Sequence, residues 1–208
     1  CGDCRDILPT LEPVDLVLTD PPYPGLKGGL SVTFTSGVGD RHYDTKTVGT
    51  PWGDNIEGVK AAFDLCTFGG FVFCSFHSVD SMADLCGDKV ALITWYQRNT
   101  MPPMNNVPHF QTEFIWAIKK VPGLTWKNLK TLYDIPRLQA GCMAKERICR
   151  DGIAMHPAQK PISLIKTLLS VGGTSLVDPY MGTGTSLVAS KQLGRKAIGI
   201  EIEEKYCE

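Results

Sequence analysis

An α/β fold built on a doubly wound, mostly parallel sheet is the class this sequence predicts, and three stretches predict it. Val14-Asp15-Leu16-Val17-Leu18-Thr19 and Phe71-Val72-Phe73-Cys74-Ser75-Phe76 are short, nearly continuous apolar runs, the pattern of strands covered on both faces. Ser175-Leu176-Val177-Asp178 is a third such strand. It leads through a turn containing Gly182 and Gly184 into a helical stretch, then into a further strand ending at Glu201. A glycine turn followed about 20 residues later by a strand-end acid suits nucleotide binding: glycines let backbone approach a ligand, and the acid takes ribose hydroxyls.

In chain order, Gly2 to Leu8 reads as a strand end turning into a short helix, with Pro9 to Pro13 as connector. Asp3 suits the N-cap of that helix. The strand from Val14 stops at Asp20-Pro21-Pro22-Tyr23, because neither proline donates to a ladder or continues a helix. One carboxylate, two restricted carbonyls and one aromatic ring are thus presented where open α/β sheets bind ligands. Acceptors beside a stacking ring suit a planar base held by its exocyclic amine.

The following stretch, to Asp54, is rich in Gly, Thr and Ser and lacks periodicity. A loop of that length is functional or disordered. Either it closes over a substrate, with Lys27, Arg41, His42, Tyr43 and Lys46 available for contacts, or it is a mobile surface loop. Residues 56–66 have helical spacing, Gly69-Gly70 is expected to punctuate, and 79–86 looks helical. Residues 91–97 and 113–118 read as two further strands, antiparallel at the sheet edge. Their aromatics, Trp95, Tyr96, Phe114 and Trp116, are expected in the core, and His77 and His109 at strand ends or loops. The prolines and asparagines of 99–111 mark a structured loop, 124–153 has mixed pattern, and Ile162 to Leu169 is an amphipathic helix. The helix after the glycine turn runs to Leu193 and stops at Gly194.

With 208 residues, 43% hydrophobic and 21% charged, the composition is that of one globular domain. No apolar run reaches membrane-span length and no signal peptide is visible, which points to the cytoplasm. Residue 1 is cysteine, so the chain is expected to be trimmed at its start. The eight cysteines are expected as free thiols rather than disulfides, with zinc at the lone Cys1/Cys4 C-x-x-C pair as the weaker reading, so no metal is assigned. The net charge of -1 conceals a basic window containing Lys119, Lys120, Lys127, Lys130, Arg137, Lys145, Arg147 and Arg150, opposed by Asp134 and Glu146. That window suits nucleic-acid phosphates; the other reading is a solvated basic surface.

Asp20-Pro21-Pro22-Tyr23 resembles the catalytic motif of the DNA amino-methyltransferases, and Asp178-Pro179-x-x-Gly182-x-Gly184-Thr185 resembles their S-adenosylmethionine motif. The catalytic motif comes first, a permuted order similar to that of the β class, and His156-Pro157-Ala158-Gln159-Lys160-Pro161 resembles a further block of that class. The resemblance implies a Rossmann-like methyltransferase sheet over 1–208, a catalytic loop at 24–55 and a short target-recognition region at 121–153. It implies that Asp20, Pro21, Pro22 and Tyr23 act at a flipped base in DNA. Asp3 (at the adenine ring), Lys160 (at the carboxylate end), Asp178, Gly182, Gly184, Thr185 and Glu201 would hold S-adenosylmethionine. Aspartate as first motif residue points to the adenine amine, with the cytosine amine as alternative; a non-catalytic nucleic-acid-binding subunit on the same fold is the reading from another class. No Pro-Cys dipeptide occurs, against the cysteine-nucleophile route to ring-carbon methylation. DNA is the implied partner, and a second subunit assisting recognition is compatible with the short region.

Overall fold

The computed structural model describes residues 1–22, 52–76, 78–83, 88–100, 109–122, 124–138, 145–150, 153–154, 156 and 158–207. Helix α1 (Cys4–Ile7) and a 3-10 turn (Leu8–Thr10) precede strand β1 (Val14–Thr19). Then come α2 (Trp52–Leu65), β2 (Cys66–Cys74), α3 (Val79–Ala83), β3 (Asp88–Tyr96), β4 (Thr112–Lys119) and β5 (Leu132–Asp134). A two-stranded ribbon, β6 (Cys149–Arg150) with β7 (Ile153–Ala154), leads to α4 (Ile162–Leu169), β8 (Ser175–Asp178), α5 (Thr185–Gln192) and β9 (Lys196–Gly199).

The main sheet has the order β5-β3-β4-β2-β1-β8-β9. Only β4 runs against its neighbours; every other pairing in this sheet is parallel. The antiparallel pairing expected at the edge is therefore present, but the reversed strand lies inside the sheet, and the short β5 closes that end. β1 and β8 are direct neighbours, pairing Leu16 with Leu176 and Val17 with Val177. Two motifs far apart in sequence thereby reach adjacent strand ends.

Alternate residues of each strand feed two cores, one per face. Leu16, Leu18, Phe71, Phe73, Ile93 and Trp95 pack with Leu164, Ile165, Leu168 and Leu169 of α4 and Ala189 of α5. Val17, Val72 and Cys74 pack with Val59, Ala62 and Phe63 of α2 and with Met82 of α3. Burying each large side chain contributes about 1.5–3 kcal/mol, so the period of two places helices on both faces. Trp95 donates to the Ile135 carbonyl (2.6 Å) and Trp116 to that of Val79 (2.8 Å), so these two indoles are satisfied.

Three expectations are revised. Gly69-Gly70 does not interrupt; β2 starts at Cys66 and runs through both glycines. A Cβ on Gly70 would collide with the Val17 carbonyl, and one on Gly69 with that of Ile118, so these glycines let β2 sit tightly between β1 and β4. Helix α2 begins at Trp52, inside the stretch expected as loop. Cys149 is disulfide-bonded, whereas Cys1, Cys4, Cys66, Cys74 and Cys207 are free.

Part of the stretch expected to read DNA is built into the sheet: β5 pairs with β3, Tyr133 is buried, and Leu124, Trp126, Leu129 and Ile135 pack against the α4 core. Lys120 of the basic window donates to the Phe63 (2.8 Å) and Cys66 (2.9 Å) carbonyls at the end of α2. Among the described residues no helix is long and apolar enough to cross a membrane.

Candidate active site

Asp20 leaves β1 directly after the buried Thr19, and Pro21 is buried beside it while Pro22 is exposed. The prolines end the ladder as their chemistry demands. Tyr23 lies outside the described residues, as do Lys27, Arg41, His42, Tyr43, Lys46 and His77. Asn55 in α2 ties the two motifs together. Its amide makes a long contact to the Pro22 carbonyl (3.5 Å), and its own carbonyl accepts from the Tyr180 hydroxyl (3.0 Å).

Asp20 sits in a half-buried ionic cluster. Lys160 Nζ lies 2.6 Å from Asp20 Oδ2 and 3.1 Å from Glu113 Oε2, and Gln97 Nε2 donates to Glu113 Oε1 at 2.8 Å. The ammonium is also 5.2 Å from the centre of the Phe73 ring. Burial alone pushes the Lys160 ammonium towards losing its proton; the Asp20 and Glu113 carboxylates more than reverse this and hold it well above the usual lysine range. Lys160, expected at a cofactor carboxylate, thus makes its ion pairs with Asp20 and Glu113.

At the end of β8, Asp178 is buried and accepts from the Tyr180 amide (3.1 Å) and from Ser186 Oγ (2.5 Å). Burial pushes its carboxyl up to about 7; those two hydrogen bonds oppose the shift, and the charges of Asp20 and Glu201 add to it. The turn that follows needs its glycines for backbone shape, since Gly182 (φ 53°) and Gly184 (φ 76°) are both left-handed. Gly184 is the N-cap of α5, and Thr185 is its first, buried residue. Glu201 grips the same turn: its Oε2 accepts from the Gly182 amide and its Oε1 from that of Glu203, each at 2.9 Å.

The N-terminus reaches this edge too, because the Gly2 amide donates to the Glu201 carbonyl (2.8 Å). Asp3 caps α1 by accepting from the Arg5 amide (2.9 Å), and the Arg5 guanidinium (2.6 Å) holds its carboxyl below the usual range. His156 stands beside Gly182, 3.8 Å from where a Cβ would sit, and edge-on to Tyr206. Burial, then the charges of Lys160, Arg147 and Lys205, push its imidazole down to about 4, so it is neutral at pH 7. Among the described residues no group of His, Cys, Asp or Glu is placed to hold a metal ion, and Cys1 and Cys4 are both free thiols.

The structure therefore gathers Asp20, Pro21, Asp178, Gly182, Gly184, Thr185 and Glu201 along one carboxyl edge of the sheet. Asn55, Gln97, Glu113 and Ser186 escaped the sequence reading. A polar residue opening the apolar run Glu113 to Ile118 was the one available signal for Glu113.

The sequence profile of the DNA methylase family (N6_N4_Mtase) matches residues 14–208. The chain belongs to the DNA methylase family. It is similar to the type II methyltransferase M2.DpnII of Streptococcus pneumoniae, 26% identical over 221 residues, covering 94% of this chain and 80% of that one. It is also similar to the type II methyltransferase M.HinfI of Haemophilus influenzae, 28% identical over 246 residues, covering 99% of this chain and 64% of the relative. Among solved structures, the M1.HpyAVI–SAM complex superposes with a TM-score of 0.65 at 23% identity, covering 99% of this chain and 93% of that one. This likeness extends the DNA methylase fold over the whole sheet described above. The permuted order, with Asp20 ahead of Asp178, is the order read from the sequence.

Proposed function

We propose that this DNA methylase transfers a methyl group from S-adenosylmethionine to the exocyclic N6 amine of adenine in DNA. The observation that carries the reading is the placement of Asp20 and Asp178 at the ends of adjacent parallel strands, β1 and β8, so that base and cofactor meet in one crevice.

The cofactor fits the chemistry of the site. Burial raises the Asp178 carboxyl, the charges of Asp20 and Glu201 add to that rise, and a cationic ligand relieves their repulsion. Glu201, beside the left-handed turn, would take the ribose hydroxyls, and Gly182, Gly184 and Thr185 would lie against the methionyl part. Asp3, beside the Glu201 segment, would accept from the adenine amine of the cofactor. When bound, S-adenosylmethionine supplies a methyl group on a sulfonium that carries its own leaving group.

The protein's task is the amine. Its lone pair is delocalised into the purine ring, which makes it a poor nucleophile. Asp20 and the Pro21 carbonyl accept its hydrogens and favour a tetrahedral nitrogen with the lone pair aimed at the methyl. Tyr23 stacks on the extruded base, which offsets about 1–3 kcal/mol of an extrusion cost of a few kcal/mol. Holding nitrogen and methyl in line supplies up to about 7–11 kcal/mol. The exposed Lys127 and Lys130 would contact phosphates.

Incubation with labelled S-adenosylmethionine and unmethylated genomic DNA tests the reading. Wild type is expected to label the DNA; Asp20→Ala is expected to abolish labelling while cofactor binding survives. A cofactor-binding wild type that leaves DNA unlabelled would demote the reading to the non-catalytic alternative.

A further inference from the structure

We propose that Lys160 is a positioning residue for Asp20 and that Glu113, steadied by Gln97, fixes Lys160 in turn. The inference rests on the function reading above and assigns to the catalytic half of the site a lysine that the motif pattern alone sends to the cofactor.

The geometry comes from the reversed strand. Because β4 runs against β2 and β3, its first residues lie at the edge where those strands end, and Glu113 pairs across from Trp95 near the end of β3. Lys160, just ahead of α4, reaches the same edge from the far end of the chain. Its side chain is 9% exposed, against 25% for Asp20 and 27% for Glu113, so the ammonium is the most enclosed of the three. A buried ammonium needs partners for its charge and its protons, and two carboxylates at 2.6 and 3.1 Å provide both. Gln97, itself 4% exposed, holds the second oxygen of Glu113.

The consequence for chemistry is directional. An aspartate following a strand end has two side-chain torsions to fix. Anchoring Oδ2 on Lys160 sets the plane of the Asp20 carboxylate, and hence the direction in which it accepts from an amine. Misplacement of a reacting group by about 1 Å costs on the order of 100-fold in rate.

Steady-state transfer to DNA, with cofactor Kd measured separately by calorimetry, tests the inference in the full chain. Lys160→Met is expected to lower kcat about 100-fold and to leave cofactor Kd within about twofold. Lys160→Arg, which keeps charge and two donors, is expected to restore part of kcat, and Glu113→Gln to show a smaller loss in the same direction. If Lys160→Met fails to fold, E113Q combined with K160M removes one charge of each sign and is expected to fold with kcat still reduced. A raised cofactor Kd at unchanged kcat would overturn the inference and return Lys160 to the cofactor. Unchanged values of both, or equal losses in both, would also overturn it. Wild-type transfer is measured first: its absence overturns the function reading and this inference with it, whereas active wild type with an equally active Lys160→Met overturns this inference alone.

Discussion

Replacing Asp178 by asparagine is expected to stabilise the free protein above pH 7 while weakening cofactor binding. Burial holds this carboxyl at about 7 in the folded chain, against an ordinary 3.8. The folded state therefore binds the proton more tightly than the unfolded state does. Stability from this group is fullest below about pH 4 and is lost progressively as pH rises from about 4 to about 7. Roughly three pH units at about 1.4 kcal/mol each amount to about 4 kcal/mol lost at pH 8. Asparagine has the same shape without the charge; its oxygen can accept from the Tyr180 amide and its amide can donate to Ser186 Oγ. If half the difference is realised, about 2 kcal/mol, Tm at pH 8 rises by about 4–8 °C for a chain of this length. Thermal unfolding of both proteins without cofactor, at pH 5 and pH 8, measures it, with a calorimetric cofactor titration alongside. An equal Tm difference at both pH values, or a lower Tm for the variant at pH 8, would refute the argument.

Cofactor binding to wild type is expected to release a proton below pH 7 and to weaken about tenfold per pH unit between pH 7 and pH 5, because a cation favours ionised Asp178; titration in buffers of different ionisation enthalpy checks this. Gly70→Ala, which drives a Cβ into the Val17 carbonyl between central strands, is expected to cost about 3 kcal/mol or more in urea unfolding. Gly184→Ala has open space for its Cβ and only the left-handed backbone to contend with, so it is expected to cost about 1–2 kcal/mol. Removing Lys127 and Lys130 together is expected to lower the slope of log K for DNA against log salt by about 2, while Lys120→Ala leaves it unchanged, since that ammonium is spent on the Phe63 and Cys66 carbonyls.

The legible parts of this protein are those whose signal is local. Asp20-Pro21-Pro22 ends a strand because two successive residues lack an amide hydrogen, and no tertiary context alters that. The run from Ser175 through Gly182 and Gly184 to Glu201 carries its strand, turn, helix and acid within one contiguous stretch, and these fall where the pattern put them except that the last strand ends at Gly199, two residues before Glu201. Gly69-Gly70 misled because its cause is non-local: the glycines answer to carbonyls on β1 and β4, not to a turn. Glu113 was hidden for a similar reason, since its place at the crevice depends on β4 being the reversed strand. Lys160 was recognisable as part of a motif, but its partners come from β1 and β4, both distant in sequence. Asp3 satisfies its local reading as an N-cap, and the path of Gly2 along Glu201 brings it to the same edge of the sheet as Glu201. Tyr133 and Trp126 show what charge counting leaves out of the basic window: that segment also carries apolar side chains that belong to the sheet's core.

The most direct test of the central claim is nucleoside mass spectrometry of unmethylated DNA after incubation with this protein and labelled S-adenosylmethionine. The account expects label in deoxyadenosine methylated on its N6 amine, present with wild type and absent with Asp20→Ala. Label in deoxycytidine on its N4 amine instead, or on any base carbon, would contradict it.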